Sequence, residues 1–109
     1  MTTRRFGQVI GIDPDQAAEY ERLHADVWPG VLATIRACNI RNYSIFRHGD
    51  RLFAYFEYLG DDYEADMARM DADPVTREGW AVVGPMQRAL PDRDDGDWWH
   101  TIPEVFHVD

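Results

Sequence analysis

A strand, helix, strand, strand, helix, strand order, two Asp-Pro helix openings and a hairpin strand that is apolar on both sides predict an α+β fold. The layout is a ferredoxin-like sandwich, in which helices lie on one face of an antiparallel sheet. The opposite sheet face is most simply covered by a second copy of the chain, giving a dimeric α+β barrel. The 109 residues read as a single domain, 1–109, with no repeat or linker to divide them.

The first strand is read over residues 5–12, where Phe6, Gln8, Ile10 and Ile12 alternate with Arg5, Gly7, Val9 and Gly11. Asp13-Pro14 then opens a helix, because Asp accepts orphan backbone N–H groups and Pro lacks the donor that would be unpaired at the first helical position. That helix runs through Tyr20 and His24 until Pro29 disfavours helical geometry at Trp28; a break is expected near 25–28, with resumption to about Cys38. Residues 39–46 and 52–59 are read as strands of a hairpin joined by the polar segment Arg47-His-Gly-Asp-Arg51. In the second of them Leu52, Ala54, Phe56 and Tyr58 form one apolar set, and Phe53, Tyr55 and Leu59 the other. Asp61-Asp62 caps a helix carrying Tyr63, Met67 and Met70, and Asp73-Pro74 opens another through Trp80 and Val83 towards Met86, disturbed at its end by Gly84-Pro85. A charged loop follows over 91–97, and residues 102–108 are expected to form the last strand.

Composition narrows the function. Hydrophobic residues make up 45% of the chain, including four Trp, five Tyr and five Phe, which is enough to build a core. A net charge of −9 repels phosphate backbones and anionic lipid, so nucleic-acid and membrane partners are disfavoured and a neutral small molecule fits better. The single cysteine, Cys38, allows no intrachain disulfide and no thiolate metal cluster, and is read as a buried hydrophobe. The N-terminal residues run into an alternating pattern with no signal-peptide or membrane-spanning stretch, so a cytoplasmic location is expected.

Tyr20 and His24 stand one helical turn apart, beside the break at Trp28-Pro29. An imidazole titrates near neutral pH and can both give and take a proton, so His24 is the candidate acid/base residue, although the same spacing suits a histidine that merely packs. Of the other histidines, His48 is placed in a turn, His100 after the charged loop and His107 in the last strand. Tyr20 and Tyr43 could bind ligand hydroxyl groups or be core tyrosines with satisfied hydroxyl groups. Trp80 could offer a stacking surface to a ligand or serve the core. Trp28 is read as the floor of the helix break, and Trp98-Trp99 as a dimer contact or a lid.

In order and spacing, Tyr20-x-x-x-His24, Trp28-Pro29, Asn42-Tyr43, the helix of Trp80 and the ending Glu104-Val105-Phe106 make the chain resemble the L-rhamnose mutarotase family. The resemblance implies an enzyme, a sugar isomerase that interconverts the α and β anomers of L-rhamnose or a related 6-deoxyhexose such as L-fucose. It implies no cofactor and no metal, and a homodimer. It assigns His24 as the proton donor, with Tyr20, Tyr43 and Trp80 binding the sugar. The family has consecutive tryptophans where this chain has Gly79-Trp80, which leaves substrate identity open. Two other readings fit the architecture: a cofactor-free monooxygenase or haem-degrading enzyme, and a non-catalytic sugar-binding module.

Overall fold

The computed structural model describes residues 3–109. Its elements are β1 (Arg4–Ile12), a 3₁₀ turn (Pro14–Gln16), α1 (Ala17–Ala25), α2 (Pro29–Ala37), β2 (Ile40–His48), β3 (Arg51–Tyr58), α3 (Tyr63–Ala72), α4 (Pro74–Val83), a second 3₁₀ turn (Gly84–Met86), β4 (Gln87–Arg88) and β5 (His100–Ile102). Each helical crossing of the expected layout is thus divided in two. The antiparallel sheet has the order β2-β3-β1-β4, and β5 also pairs with β1. This is the expected α+β sandwich, with its last strand split into two short pieces on one edge of β1.

The helix boundaries follow local chemistry. Asp13 accepts the backbone N–H of Asp15 at 3.0 Å, and the tight first turn after Pro14 is 3₁₀ before α1 begins. Pro29 occupies the first turn of α2 and Trp28 before it is extended, with φ −57° and ψ 133°, so the expected break falls between Ala25 and Pro29. Asp62 caps α3 through the Ala65 N–H at 3.1 Å, and Asp73 caps α4 through the N–H of Thr76 at 2.9 Å.

The register Ile10↔Leu52, Gln8↔Ala54 and Phe6↔Phe56 sets the even-numbered residues of β1 and β3 on the same, helix-covered face. One core cluster joins Ile10, Ile12, Ala17, Tyr20 and Leu52; another joins Cys38, Ile40, Phe56 and Met70. Burying each large aliphatic side chain contributes roughly 1.5–3 kcal/mol. Cys38 is buried and free, as expected. Below the second cluster the Asp66 carboxylate is held by Tyr58, Asn39 and Arg69. Gly60 is tightly enclosed there, because a Cβ would collide with the Tyr58 hydroxyl and lie 2.7 Å from Asp66 Oδ2.

The C-terminal strand differs from the expectation over 102–108. Only His100–Ile102 pairs, against Val9, Gln8 and Gly7 of β1, and residues 103–109 carry no strand. The pairing stops at Ile102, immediately before Pro103. Gln87–Arg88, unrecognised in the sequence, pairs with Ile12 and Gly11 and occupies the far part of the same edge. Arg5 Nε donates to Glu104 at 2.8 Å and holds the tail beside the sheet, while Val105, Phe106 and Val108 remain exposed.

Candidate functional site

Tyr20 is buried on α1, and His24 follows one turn later at the exposed end of the same helix. Their rings stack with centroids 4.2 Å apart and planes 23° from parallel. His24 Nδ1 lies 2.8 Å from the backbone oxygen of Tyr20. A carbonyl oxygen can only accept, so Nδ1 carries the proton and Nε2 is left as the nitrogen that exchanges protons with a ligand. Both side chains line a cleft of about 260 Å³ between α1 and the β2–β3 hairpin, which also includes Ile45, Leu52 and Arg47. On its rim, Arg47 Nε donates to Glu21 Oε1 at 2.8 Å. The volume lies near the lower end of small-molecule sites, which span ~300–1,000 Å³, and suits a ligand no larger than a monosaccharide.

Tyr43 reaches the helix-covered side because of a bulge. Arg41 pairs with Glu57 and Ser44 with Tyr55, so Asn42 and Tyr43 together oppose Phe56 alone. Asn42 takes the left-handed conformation this requires, with φ +51°, and its side chain donates to Glu57 Oε1 at 2.8 Å. The extra residue turns Tyr43 inward onto Phe56, ring centroids 5.5 Å apart. Although 39% of the residue is exposed, its hydroxyl end is interior. Burial, reinforced by the phenols of Tyr20 and Tyr63, pushes its pKa up to about 12. Tyr43 therefore stays a neutral hydrogen-bonding group at physiological pH.

Trp80 lies on α4 between buried Thr76 and Val83, at the i, i+4 and i+7 positions of one helical face. Val83 packs against the cluster containing Tyr20, so the Trp80 face of α4 is turned to the same side of the sheet. At 44% exposure, Trp80 presents a free aromatic surface. Its neighbour Gly79 faces α2: a Cβ there would sit 3.5 Å from Val31 Cγ2 and 4.0 Å from Trp28 Cζ3. Trp28 therefore borders the space beside Gly79, in keeping with its place at the helix break. Neither Tyr43 nor Trp80 is among the residues that line the His24 cleft, so of the expected four-residue set only Tyr20 and His24 are gathered there.

The other histidines lie elsewhere. His48 ends β2 on the surface, His100 Nδ1 is 3.6 Å from Asp97 Oδ2, and His107 Nε2 is 2.8 Å from Asp109 Oδ1. Trp99 packs against the Tyr20 cluster, while the Trp98 indole N–H donates to Gln87 Oε1 at 2.7 Å. Gln87 Nε2 in turn donates to the Tyr20 hydroxyl at 3.3 Å. Sequence reading missed Gln87, which lies in no recognisable motif and meets Tyr20 across 67 positions of chain. Burial raises the Tyr20 pKa, with the Gln87 bond acting in the opposite direction.

The chain is similar to known proteins along nearly its whole length. The family model described as L-rhamnose mutarotase matches residues 5–108. An L-fucose mutarotase of Xanthomonas campestris pv. campestris is 35% identical, covering 97% of this chain and 89% of that protein. An L-rhamnose mutarotase of Ligilactobacillus salivarius is 33% identical, covering 98% and 99%. Among solved structures, an L-rhamnose mutarotase from Formosa agariphila has a TM-score of 0.76 at 19% identity, covering 97% of this chain and 99% of that one. Tetracenomycin F2 cyclase from Streptomyces glaucescens, a type-II polyketide cyclase, has a TM-score of 0.65 at 21% identity, covering 96% and 95%. The structural likenesses establish the α+β architecture alone. The match along nearly the whole sequence goes further, and with it the chain belongs to the L-rhamnose mutarotase family.

Proposed function

We propose that the protein is a sugar mutarotase, an isomerase that interconverts the α and β anomers of L-rhamnose or a related 6-deoxyhexose such as L-fucose. The observation that carries this reading is His24, which lines a monosaccharide-sized cleft with Nδ1 tied to the Tyr20 carbonyl and Nε2 free for proton exchange. Ring opening moves the proton of the anomeric hydroxyl to the ring oxygen as the bond between C1 and that oxygen breaks. The C1 carbonyl then rotates, and closure on its other face reverses the transfer. Neutral His24 can take the first proton and, as imidazolium, return it to the ring oxygen, so that no net proton is consumed. Buried Tyr20 and the interior hydroxyl of Tyr43 resist ionisation and act as hydrogen-bonding groups, while Trp80 provides a stacking surface.

The active form in this reading is a homodimer. Support comes from the sheet face opposite the helices, where Phe46 and Phe53 are exposed and Ile102 lies beside the apolar tail residues Val105 and Phe106. A cytoplasmic location belongs to the same reading, as the place where free monosaccharides are metabolised; among the described residues no helix is long and apolar enough to cross a membrane. The deciding experiment is saturation transfer between the α and β anomeric protons of L-rhamnose and L-fucose, with and without protein. Accelerated exchange is expected for at least one of them. Sugar binding without acceleration would leave a binding module, and oxygen consumption with a quinol or haem would indicate an oxygenase.

A further inference from the structure

The hydrogen-bond chain behind Tyr20 has only one consistent polarity. An indole N–H donates and never accepts, so the atom of Gln87 that lies 2.7 Å from Trp98 Nε1 must be the amide oxygen. This fixes the orientation of an amide that could otherwise be flipped. The NH₂ group then faces the Tyr20 hydroxyl at 3.3 Å, and since it too can only donate, the phenol oxygen accepts. Gln87 is buried, held on β4 by pairing with Ile12, and has little freedom to turn away. Tyr20 thus has its acceptor side occupied and its own proton unclaimed: among the described residues no acceptor takes it. A buried hydroxyl with an unused proton is costly unless a ligand or water accepts it. Tyr20 lines the cleft that also holds His24, and a ligand bound there can supply the acceptor.

We propose that Gln87 is a positioning residue for the sugar reaction: anchored by the Trp98 indole, its amide commits the Tyr20 hydroxyl to donate its hydrogen bond to a sugar oxygen in the His24 cleft. This rests on the mutarotase reading. It also gives the loop that carries Trp98 a connection to the site, through a side chain that does not touch substrate. A phenol that already accepts a hydrogen bond is polarised and donates a stronger one, which is the gain from the relay. Nothing in the chain of bonds transfers a proton; Trp98 and Gln87 fix direction only.

Gln87→Glu separates orientation from packing, since it keeps the size of the side chain and an oxygen for Trp98. A carboxylate in that position accepts the Tyr20 proton and removes it from the sugar; a protonated carboxyl group can again donate to the phenol. Anomer exchange of the better of L-rhamnose and L-fucose is therefore expected to fall about tenfold or more at neutral pH, the scale of one lost hydrogen bond, and to recover towards acid pH as the carboxylate is protonated. Wild-type protein should show no such acid recovery, and Trp98→Phe should weaken exchange with little change in the pH profile. The second measurement needs no sugar turnover. With ¹³C-labelled tyrosine, the Tyr20 Cζ resonance, assigned by its absence in Tyr20→Phe, is titrated in the unliganded wild type and in Gln87→Glu. Its midpoint is expected to be higher in the variant, because the carboxylate favours the neutral phenol. If wild-type protein exchanges no sugar, the mutarotase reading fails, and the Cζ titration still decides whether Gln87 orients Tyr20. An unchanged midpoint, or a variant with wild-type exchange at every pH, would overturn the proposal. Should Gln87→Glu fail to fold, Gln87→Met takes its place: loss of exchange with an unaltered Trp98 indole N–H resonance would overturn the anchoring, and loss of exchange with a displaced one is the expected result.

Discussion

The imidazole of His24 stacks on the phenol of Tyr20 with ring centroids 4.2 Å apart, while its Nδ1 reaches the backbone oxygen of that same residue at 2.8 Å. The two contacts come from one turn of helix and fix both the plane and the tautomer of a ring at the mouth of a cleft. His24→Ala should therefore reduce anomer exchange by about 10²- to 10⁴-fold, the range of general acid–base catalysis. His24 is exposed, so the melting midpoint should stay close to that of the wild type. Wild-type exchange in this variant would remove His24 from the mechanism, and an unfolded variant would make it a structural residue.

Trp80 should behave as a surface with spare capacity. Its 44% exposure makes Trp80→Ala cost less than the ~3–5 kcal/mol typical of a buried aromatic residue. The expected effect is a raised KM for sugar with a modest fall in melting temperature, and Trp80→Phe should raise KM less. Tryptophan fluorescence with Trp28, Trp98 and Trp99 replaced by Phe reads the stacking directly; a productive sugar that leaves the emission unchanged would exclude Trp80 from the site.

The Tyr58–Asp66 pair predicts two limits of stability. Hydrogen bonds from Tyr58, Asn39 and Arg69 hold the Asp66 carboxyl at about 2, below its ordinary 3.8. The folded state therefore binds this proton less well than the unfolded state, and the contribution is complete above pH 3.8 and lost as pH falls towards 2. Burial, together with Asp66, holds the Tyr58 phenol at about 12, above its ordinary 10, so its contribution is present below pH 10 and lost as pH rises towards 12. In Tyr58→Phe the alkaline loss should shrink, and in Asp66→Asn the acid loss should shrink, each followed by thermal melting across pH. Unchanged pH profiles would mean that the pair does not couple to folding.

Oligomeric state tests the exposed sheet face. Phe53→Glu places a charge among Phe46, Tyr55 and the other apolar groups of that face without entering the helix-covered core. Sedimentation should give a dimer for the native protein and a monomer near 12.7 kDa for the variant. A native monomer at micromolar concentration would remove the homodimer from the proposed function.

The sequence by itself determined the alternation of elements and the pairing of Tyr20 with His24. Both are local: Asp-Pro openings, apolar periodicity and the i, i+4 spacing act within a few residues, and Pro29 fixes Trp28 as extended wherever the helices come to lie. The C-terminal strand was misread because an alternating tail from 102 to 108 resembles a strand, whereas its pairing stops at Ile102 and the short Gln87–Arg88 segment occupies part of the same edge. Tyr43 faces inward only because the Asn42 bulge shifts the register of β2 against β3, a property of two strands together. Gln87 and Trp98 likewise meet Tyr20 only when β4 closes against β1, since a side-chain hydrogen bond over so long a loop leaves no periodic mark in the chain. Short-range sterics and burial patterns are written along a sequence; register, bulges and non-local polar contacts depend on which strands become neighbours, and that is decided only as the chain folds.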